Sequence, residues 1–434
     1  MSSSKKNSRL RASVPGLLFA VALSIQACGK TPAASTDESS SLLPLPPSVD
    51  VSLRNGTTFP APTPSGDNVL GLSVNGTNCT NAGAYPNKPC ISLTVCDNSS
   101  HCLTLHDVLL DTGSYGLRIF SSVLAAAPVP LVLDQVTSGS LPVAECVQYG
   151  DGSKQWGPVK KARVTLGNEP AVTVPVHVVD RSFTGMAARC NNAMATPAEA
   201  GFDAILGLGL FQHDCGLDCA ISSLNGRYFA CNTTSGTCSG AAVSLSNQVQ
   251  NPVALLPNSD RNGVILKLPD IPADGATSVE GFLILGIGSR SNNQPDAQTH
   301  TFTADSATGE FTTRFTNRDD PSFIDSGSNS FAFPNGGAGL ATCYGWFCPP
   351  SAASLSAYTI SSDQSISGNV LFQIGNFEAF ASSGNQVSKI IGAEADSGIS
   401  GFFDWGLPFY LGRNVYHGIE GQTSSLGPGP YWAY

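Results

Sequence analysis

Val108-Leu109-Leu110-Asp111-Thr112-Gly113-Ser114 in the first half of the chain returns in the second half as Ser322-Phe323-Ile324-Asp325-Ser326-Gly327-Ser328. In each copy an apolar run of strand character leads into Asp-Thr/Ser-Gly-Ser. One Asp-Thr-Gly-Ser is a turn signal that turn-rich proteins carry by chance. Two of them, each behind a hydrophobic strand, indicate a duplicated unit that presents Asp111 and Asp325 as a pair.

Two carboxyl groups held about 3 Å apart cannot both ionise easily, so one pKa falls and the other rises. Such a pair supplies a base to take a proton from water and an acid to polarise a carbonyl, which are the two needs of amide hydrolysis. Gly113 and Gly327 allow the tight turn that exposes each carboxylate at a strand end. The hydroxyls of Thr112 and Ser326 can bond across to the opposite loop, and Ser114 and Ser328 can donate to the carboxyl oxygens.

At these residues the chain resembles the pepsin-like aspartic peptidases. Phe202-Asp203-Ala204-Ile205-Leu206-Gly207-Leu208-Gly209 is similar to that family's Phe-Asp-Gly-Ile-Leu-Gly-Leu segment, which passes beneath the first Asp loop. Tyr149-Gly150-Asp151-Gly152-Ser153 looks like the flap, whose Tyr closes over bound peptide, and Gly281-Phe282-Leu283-Ile284-Leu285-Gly286 is similar to the strand opening the second lobe. The resemblance covers roughly residues 66–420. It implies an all-β, bilobal pepsin-like aspartic peptidase fold with an interlobe cleft, catalytic Asp111 and Asp325, and an acid endopeptidase acting on extended polypeptide without a cofactor. Two departures stand out. Gly116-Leu117-Arg118 replaces the family's Asn-Leu-Trp, removing the Trp partner of the flap Tyr and placing a cation near the first loop. Asp404-Trp405-Gly406 stands as the counterpart of Ile205-Leu206-Gly207, followed by Leu407 rather than the usual Asp.

The flanking sequence sets the compartment. Lys5, Lys6, Arg9 and Arg11 precede an apolar run over 14–25, an export leader too short to span a bilayer permanently. Ile25-Gln26-Ala27-Cys28 resembles the bacterial lipobox, so a leader over 1–27 and a lipidated Cys28 are expected. Removing Cys28 from 13 cysteines leaves an even number, suited to an oxidising compartment. The rest fall into near pairs, Cys79/Cys90, Cys96/Cys102, Cys215/Cys219, Cys231/Cys238 and Cys343/Cys348, with Cys146 and Cys190 left to each other, although spacing alone fixes no connectivity. His213, Cys215 and Cys219 would be a rival metal site, but no second ligand cluster accompanies them, and no metal is expected.

Residues 28–65, rich in Ser, Pro and Thr, are expected to be a tether; they lack the basic cluster of a charge-based inhibitory prosegment. Two lobes are expected at 66–248 and 249–434, one Asp loop in each, with the flap in the first. Short apolar runs at 69–74, 91–95, 108–110, 162–166, 172–179, 264–268 and 282–285 read as strands, and helices are expected only near 121–127 and 216–223. A net charge of −10, more negative once the basic leader is removed, argues against nucleic acid as a partner. Sequons at Asn55, Asn75, Asn78, Asn98 and Asn232 read as polar loops. The expected protein is a monomer anchored by lipid in the cell envelope, at the outer membrane facing the periplasm or the cell surface, with a polypeptide substrate. The alternative is a catalytically silent pepsin-like fold that binds a protein or glycan, since fold alone proves no activity.

Overall fold

The computed structural model describes residues 42–51, 64–80, 85–257, 259–395 and 401–434. The leader, Cys28 and most of the expected tether lie outside the described residues. The apolar runs become strands, at Val69–Val74, Pro89–Cys96, Cys102–Asp111, Lys154–Thr165, Val172–Val179, Gly263–Lys267 and Val279–Leu285. Helix is confined to short turns, among them Ser121–Ala125 and Leu217–Ile221 where helices are expected. The chain is all-β. No helix among the described residues is long and apolar enough to cross a membrane.

The strands form two main sheets. One closes into a barrel and holds most strands up to Thr301–Thr303 together with Asn414–Gly418 and Tyr431–Ala433. The other has ten strands and contains Arg318–Ile324, which leads into Asp325. Strands from residues 249–434 therefore divide between the sheets: Val279–Leu285 pairs with Val69–Val74, whereas Phe311–Phe315 pairs with Arg318–Ile324. Aromatic side chains fill the core beneath the second loop, with Phe333 stacked on Phe403 and Phe331 set edge-on to Trp405.

The repeat seen in the sequence is a repeat of topology. Cys102–Asp111 enters the first loop and Tyr115–Phe120 leaves it, and Ala204–Leu208 pairs with both, parallel to the first and antiparallel to the second. In the second copy Arg318–Ile324 enters, Phe331–Phe333 leaves, and Phe403–Trp405 pairs with both in the same senses. The registers also correspond, Leu109 lying beside Ile205 and Phe323 beside Asp404. Ala204–Leu208 is buried at every position, as expected for a strand covered on both faces.

A strand threaded this closely past a loop leaves no room for a side chain at its end. A Cβ on Gly207 would stand 2.4 Å from Tyr115 N, and one on Gly406 would stand 2.1 Å from Ser330 O. Both clashes are with backbone, which cannot swing aside.

Part of the expected tether is instead structured. Ser48–Asp50 adds a parallel edge strand to Ser367–Ile374, Ser367 N donates to Pro47 O at 2.9 Å, and Val51 is buried. Among the described residues six disulfides join Cys79–Cys90, Cys96–Cys102, Cys146–Cys190, Cys215–Cys219, Cys231–Cys238 and Cys343–Cys348, the five near pairs and the one pair left over that the sequence suggests.

The substitution Gly406→Ala is expected to destabilise the fold by about 3 kcal/mol, the upper end for an overpacked interior. Gly336→Ala, where a Cβ meets nothing within 4 Å, is the control that should leave the denaturant midpoint in place.

Candidate active site

The two Asp loops meet tip to tip and exchange hydrogen bonds. Thr112 N donates to Ser326 Oγ at 3.1 Å, and Ser326 N donates to Thr112 Oγ1 at 2.9 Å. Each hydroxyl then donates past the opposite loop, Thr112 to Ile324 O at 3.1 Å and Ser326 to Leu110 O at 2.7 Å. Tyr410, at the end of the turn Leu407–Phe409, places its hydroxyl 2.7 Å from Thr112 Oγ1. Residue types with a donor and an acceptor on one short stem are what this lattice needs.

The lattice sets the carboxyl groups face to face. Asp111 Oδ1 accepts from Gly113 N at 2.8 Å, and its Oδ2 accepts from the Ser114 hydroxyl. Asp325 Oδ1 accepts from Gly327 N at 2.7 Å and from Gly113 N of the opposite loop at 3.1 Å, while Oδ2 accepts from Ser328 Oγ at 2.8 Å. A Cβ on Gly113 would fall 2.6 Å from the Asp325 carboxyl carbon, so only glycine leaves room for the second carboxylate.

Both carboxyls are fully buried, and burial is the main cause that raises their pKa values. Asp111 rises further because the Asp325 charge faces it and because the two carboxyls hydrogen-bond directly. For Asp325 that same bond, with those from Ser328, Gly327 and Gly113, favours the ionised form. The shared proton therefore rests on Asp111, and Asp325 ionises first.

Residues 149–153 form the turn joining Leu141–Gln148 to Lys154–Thr165. Tyr149 N donates to Ser153 O at 2.9 Å, Ser153 N donates to Asp151 Oδ1 at 2.8 Å, and Gly152 takes a left-handed φ of 82°. Tyr149 is buried in an apolar cluster with Leu109, Phe202 and Ile205, its hydroxyl bonded to Gln155 Oε1 at 2.8 Å. Burial raises its pKa, and the charge of Asp111 adds to the rise while that of Arg118 opposes it.

Arg118 does not reach the carboxyl pair. Its guanidinium meets Glu145 at 3.0 Å and Asp214 at 3.2 Å, and Arg227 meets the same two acids at 3.4 and 3.1 Å. Tyr228 adds a hydroxyl to Asp214 at 2.5 Å. The whole network is buried. Of the two acids, Asp214 is the one pushed up, by burial and then by the charge of Glu145.

Three further residues lie beside the site. Tyr85 donates to Gly327 O at 2.8 Å. Asn87 bonds through its side chain to Asn329 O and Ser388 O, both at 2.8 Å. Asp404 lies fully buried next to the second loop with neither carboxyl oxygen in a hydrogen bond, while nearby Ser328 gives its proton to Asp325. Only Asp404 had a sequence signal, its place in the counterpart of Ile205-Leu206-Gly207. On the Gly113 side a cavity of about 350 Å³ opens between Thr112, Tyr115, Phe211, Phe323 and Trp432. Cys215 and Cys219 are bonded to each other, so they cannot serve as thiolate ligands beside His213.

Fold and site thus define an all-β protein with a duplicated, cross-bonded Asp loop and a buried carboxyl pair. Residues 64–434 match the family described as "Protein of unknown function (DUF3443)", and the chain belongs to it. No curated protein matches the chain.

Two outcomes follow from the buried charges. Arg118→Met strips one guanidinium from a pair of buried acids and should cost about 3–5 kcal/mol in denaturant unfolding. Asp404 is held well above the ordinary 3.8 by burial and by the neighbouring Asp325 charge. A raised folded pKa stabilises the fold below the unfolded value, and that contribution is lost as pH climbs from there through the folded value. Asp404→Leu should therefore raise Tm by about a few degrees at pH 7 and change it little at about pH 3, read from melting curves across that range.

Proposed function

We propose that the chain is an acid endopeptidase of pepsin-like, bilobal architecture, with Asp111 and Asp325 as its catalytic pair and an interlobe cleft for extended polypeptide. One observation carries the reading: two copies of Asp-Thr/Ser-Gly-Ser, on topologically matching loops, lock together through Thr112 and Ser326 and bring two carboxyls into a shared hydrogen bond. The hairpin turn at Tyr149 and the cavity beside Gly113 supply the surroundings such a cleft needs. A strand-like substrate would gain backbone hydrogen bonds from the hairpin as an added strand.

The mechanism uses the asymmetry of the pair. Ionised Asp325 takes a proton from water as its oxygen attacks the amide carbon, and protonated Asp111 gives its proton to the carbonyl oxygen. The resulting diol collapses as the C–N bond breaks. The leaving amine takes the proton held by Asp325, and a diol hydroxyl returns one to Asp111. The pair and its single proton are restored, with one water consumed.

In this proposal the lobes span 66–248 and 249–434, and the mature chain begins at lipidated Cys28 and acts as a monomer in the cell envelope. The leader and lipobox sequences support that placement. The binding-module alternative draws on one observation, the complete burial of both carboxylates.

Purified protein should cleave denatured protein substrates with a bell-shaped profile within about pH 2–7, the range that brackets a carboxyl dyad. Asp111→Asn or Asp325→Asn should each lower the rate at least about a hundredfold. Cleavage that survives both substitutions, or none at any pH in that range, overturns the peptidase reading, and the second outcome favours the binding module.

A further inference from the structure

Tyr85 stands against the second Asp loop. Its hydroxyl bonds to the carbonyl of Gly327 in the second Asp loop, and its ring belongs to the apolar cluster of Leu109, Tyr149, Phe202 and Ile205 on the first-loop side. Burial first, and then the charges of Asp111, Asp325 and Asp151, raise the pKa of its phenol. It is 4 % exposed.

The residues that follow it are held in place. Asn87 N donates to Gln386 O at 2.9 Å, its Oδ1 accepts from Ser388 N at 2.8 Å, and its Nδ2 holds Asn329 O and Ser388 O. Lys88 forms a buried ion pair with Asp107, and the Cys79–Cys90 disulfide closes the segment behind it. These bonds hold Asn87, two residues after Tyr85, against the second half of the chain, and Lys88 against Asp107.

The two loops are related by the internal repeat, so Gly327 and Gly113 mark equivalent positions on opposite sides of the carboxyl pair. Beside Gly327 the space is taken by Tyr85. Beside Gly113 it is the open cavity of about 350 Å³, walled by Tyr115, Phe211, Phe323 and Trp432 with Glu310 and Glu420 among its polar lining. We propose that Tyr85 is a specificity-determining residue: it fills the subsite on the Gly327 side, so the site accepts a peptide whose scissile bond has a small residue, Gly or Ala, on that side and a large residue on the other. This rests on the peptidase reading, and it names the substrate class for that same site.

The test uses two peptide sets, each pairing Ala with Phe or Phe with Phe across one bond. The first set carries the normal amide and is read by cleavage and mass spectrometry. The second carries a reduced CH2–NH link and is read by calorimetric binding to the full mature chain. Wild type should prefer the Ala-containing pair by about tenfold or more, since an occupied pocket rejects added bulk. Tyr85→Ala should bring the Phe–Phe pair to parity or better, whereas Tyr85→Phe, which keeps the ring and loses the bond to Gly327, should keep the wild-type ratio. Equal handling of both pairs by wild type, an unchanged ratio in folded Tyr85→Ala, or no binding of either reduced peptide overturns the assignment. If Tyr85→Ala fails to fold, the wild-type ratio still decides. Loss of cleavage with retained, size-selective binding of the reduced peptides would sink the peptidase reading and leave the role of Tyr85 standing.

Discussion

Bringing two carboxyl groups together inside a protein is unfavourable, and the exchange of hydrogen bonds between Thr112 and Ser326 is what imposes it. Each of these residues gives its N–H to the other's hydroxyl and passes its own hydroxyl proton to a strand carbonyl beyond, at Ile324 and Leu110. The loop tips thereby satisfy their polar groups with each other. What remains unsatisfied is the charge on the two acids, and a shared proton is the cheapest answer in a buried site. An Ala at either hydroxyl position would leave a buried N–H and a buried carbonyl without partners, a cost of about 1–3 kcal/mol for each group.

The threaded strands make that exchange possible by fixing both loop bases in the same way. Gly207 and Gly406 let Ala204–Leu208 and Phe403–Trp405 run directly against the loops. The copies have diverged where they face the carboxyl pair. Beside Leu109 stands Ile205 in an apolar cluster; beside Phe323 stands Asp404, a carboxyl with no hydrogen bond. Two like carboxyls in contact already titrate in two separate steps, and the difference in their surroundings decides which of them keeps the shared proton.

Much of this was legible in the sequence, for identifiable reasons. Strands such as Val69–Val74 and Val172–Val179 are continuous apolar runs bounded by turn residues, and the short disulfide loops pair neighbours. The Asp loops were legible because their chemistry restricts each position to one or two residue types. Ser48–Asp50 was not, since an edge strand of polar residues is held by backbone bonds to Ser367–Asn369 and carries no apolar pattern. The placement of Tyr85 was hidden because its partners, Gly327 and the cluster around Ile205, are distant in sequence. Arg118 was visible as a departure, but its direction depends on Glu145, Asp214 and Arg227, which nothing local announces.

That last network also ties the hairpin to the first loop without the Trp that the resemblance implies. Arg118 lies on the strand leaving the first loop, Glu145 on the first strand of the hairpin, and Asp214 beyond the threaded strand Ala204–Leu208. Arg227 precedes Tyr228–Asn232, which pairs with the hairpin strand. Two guanidinium groups and two acids thus tie the base of the hairpin to the loop beneath it, in a fully buried setting where neither acid can be released to water. Glu145 stands four residues before Tyr149 in the same strand and turn. The turn above that base is braced as well, by Tyr149 N on Ser153 O, Ser153 N on Asp151 Oδ1 and the Tyr149 hydroxyl on Gln155.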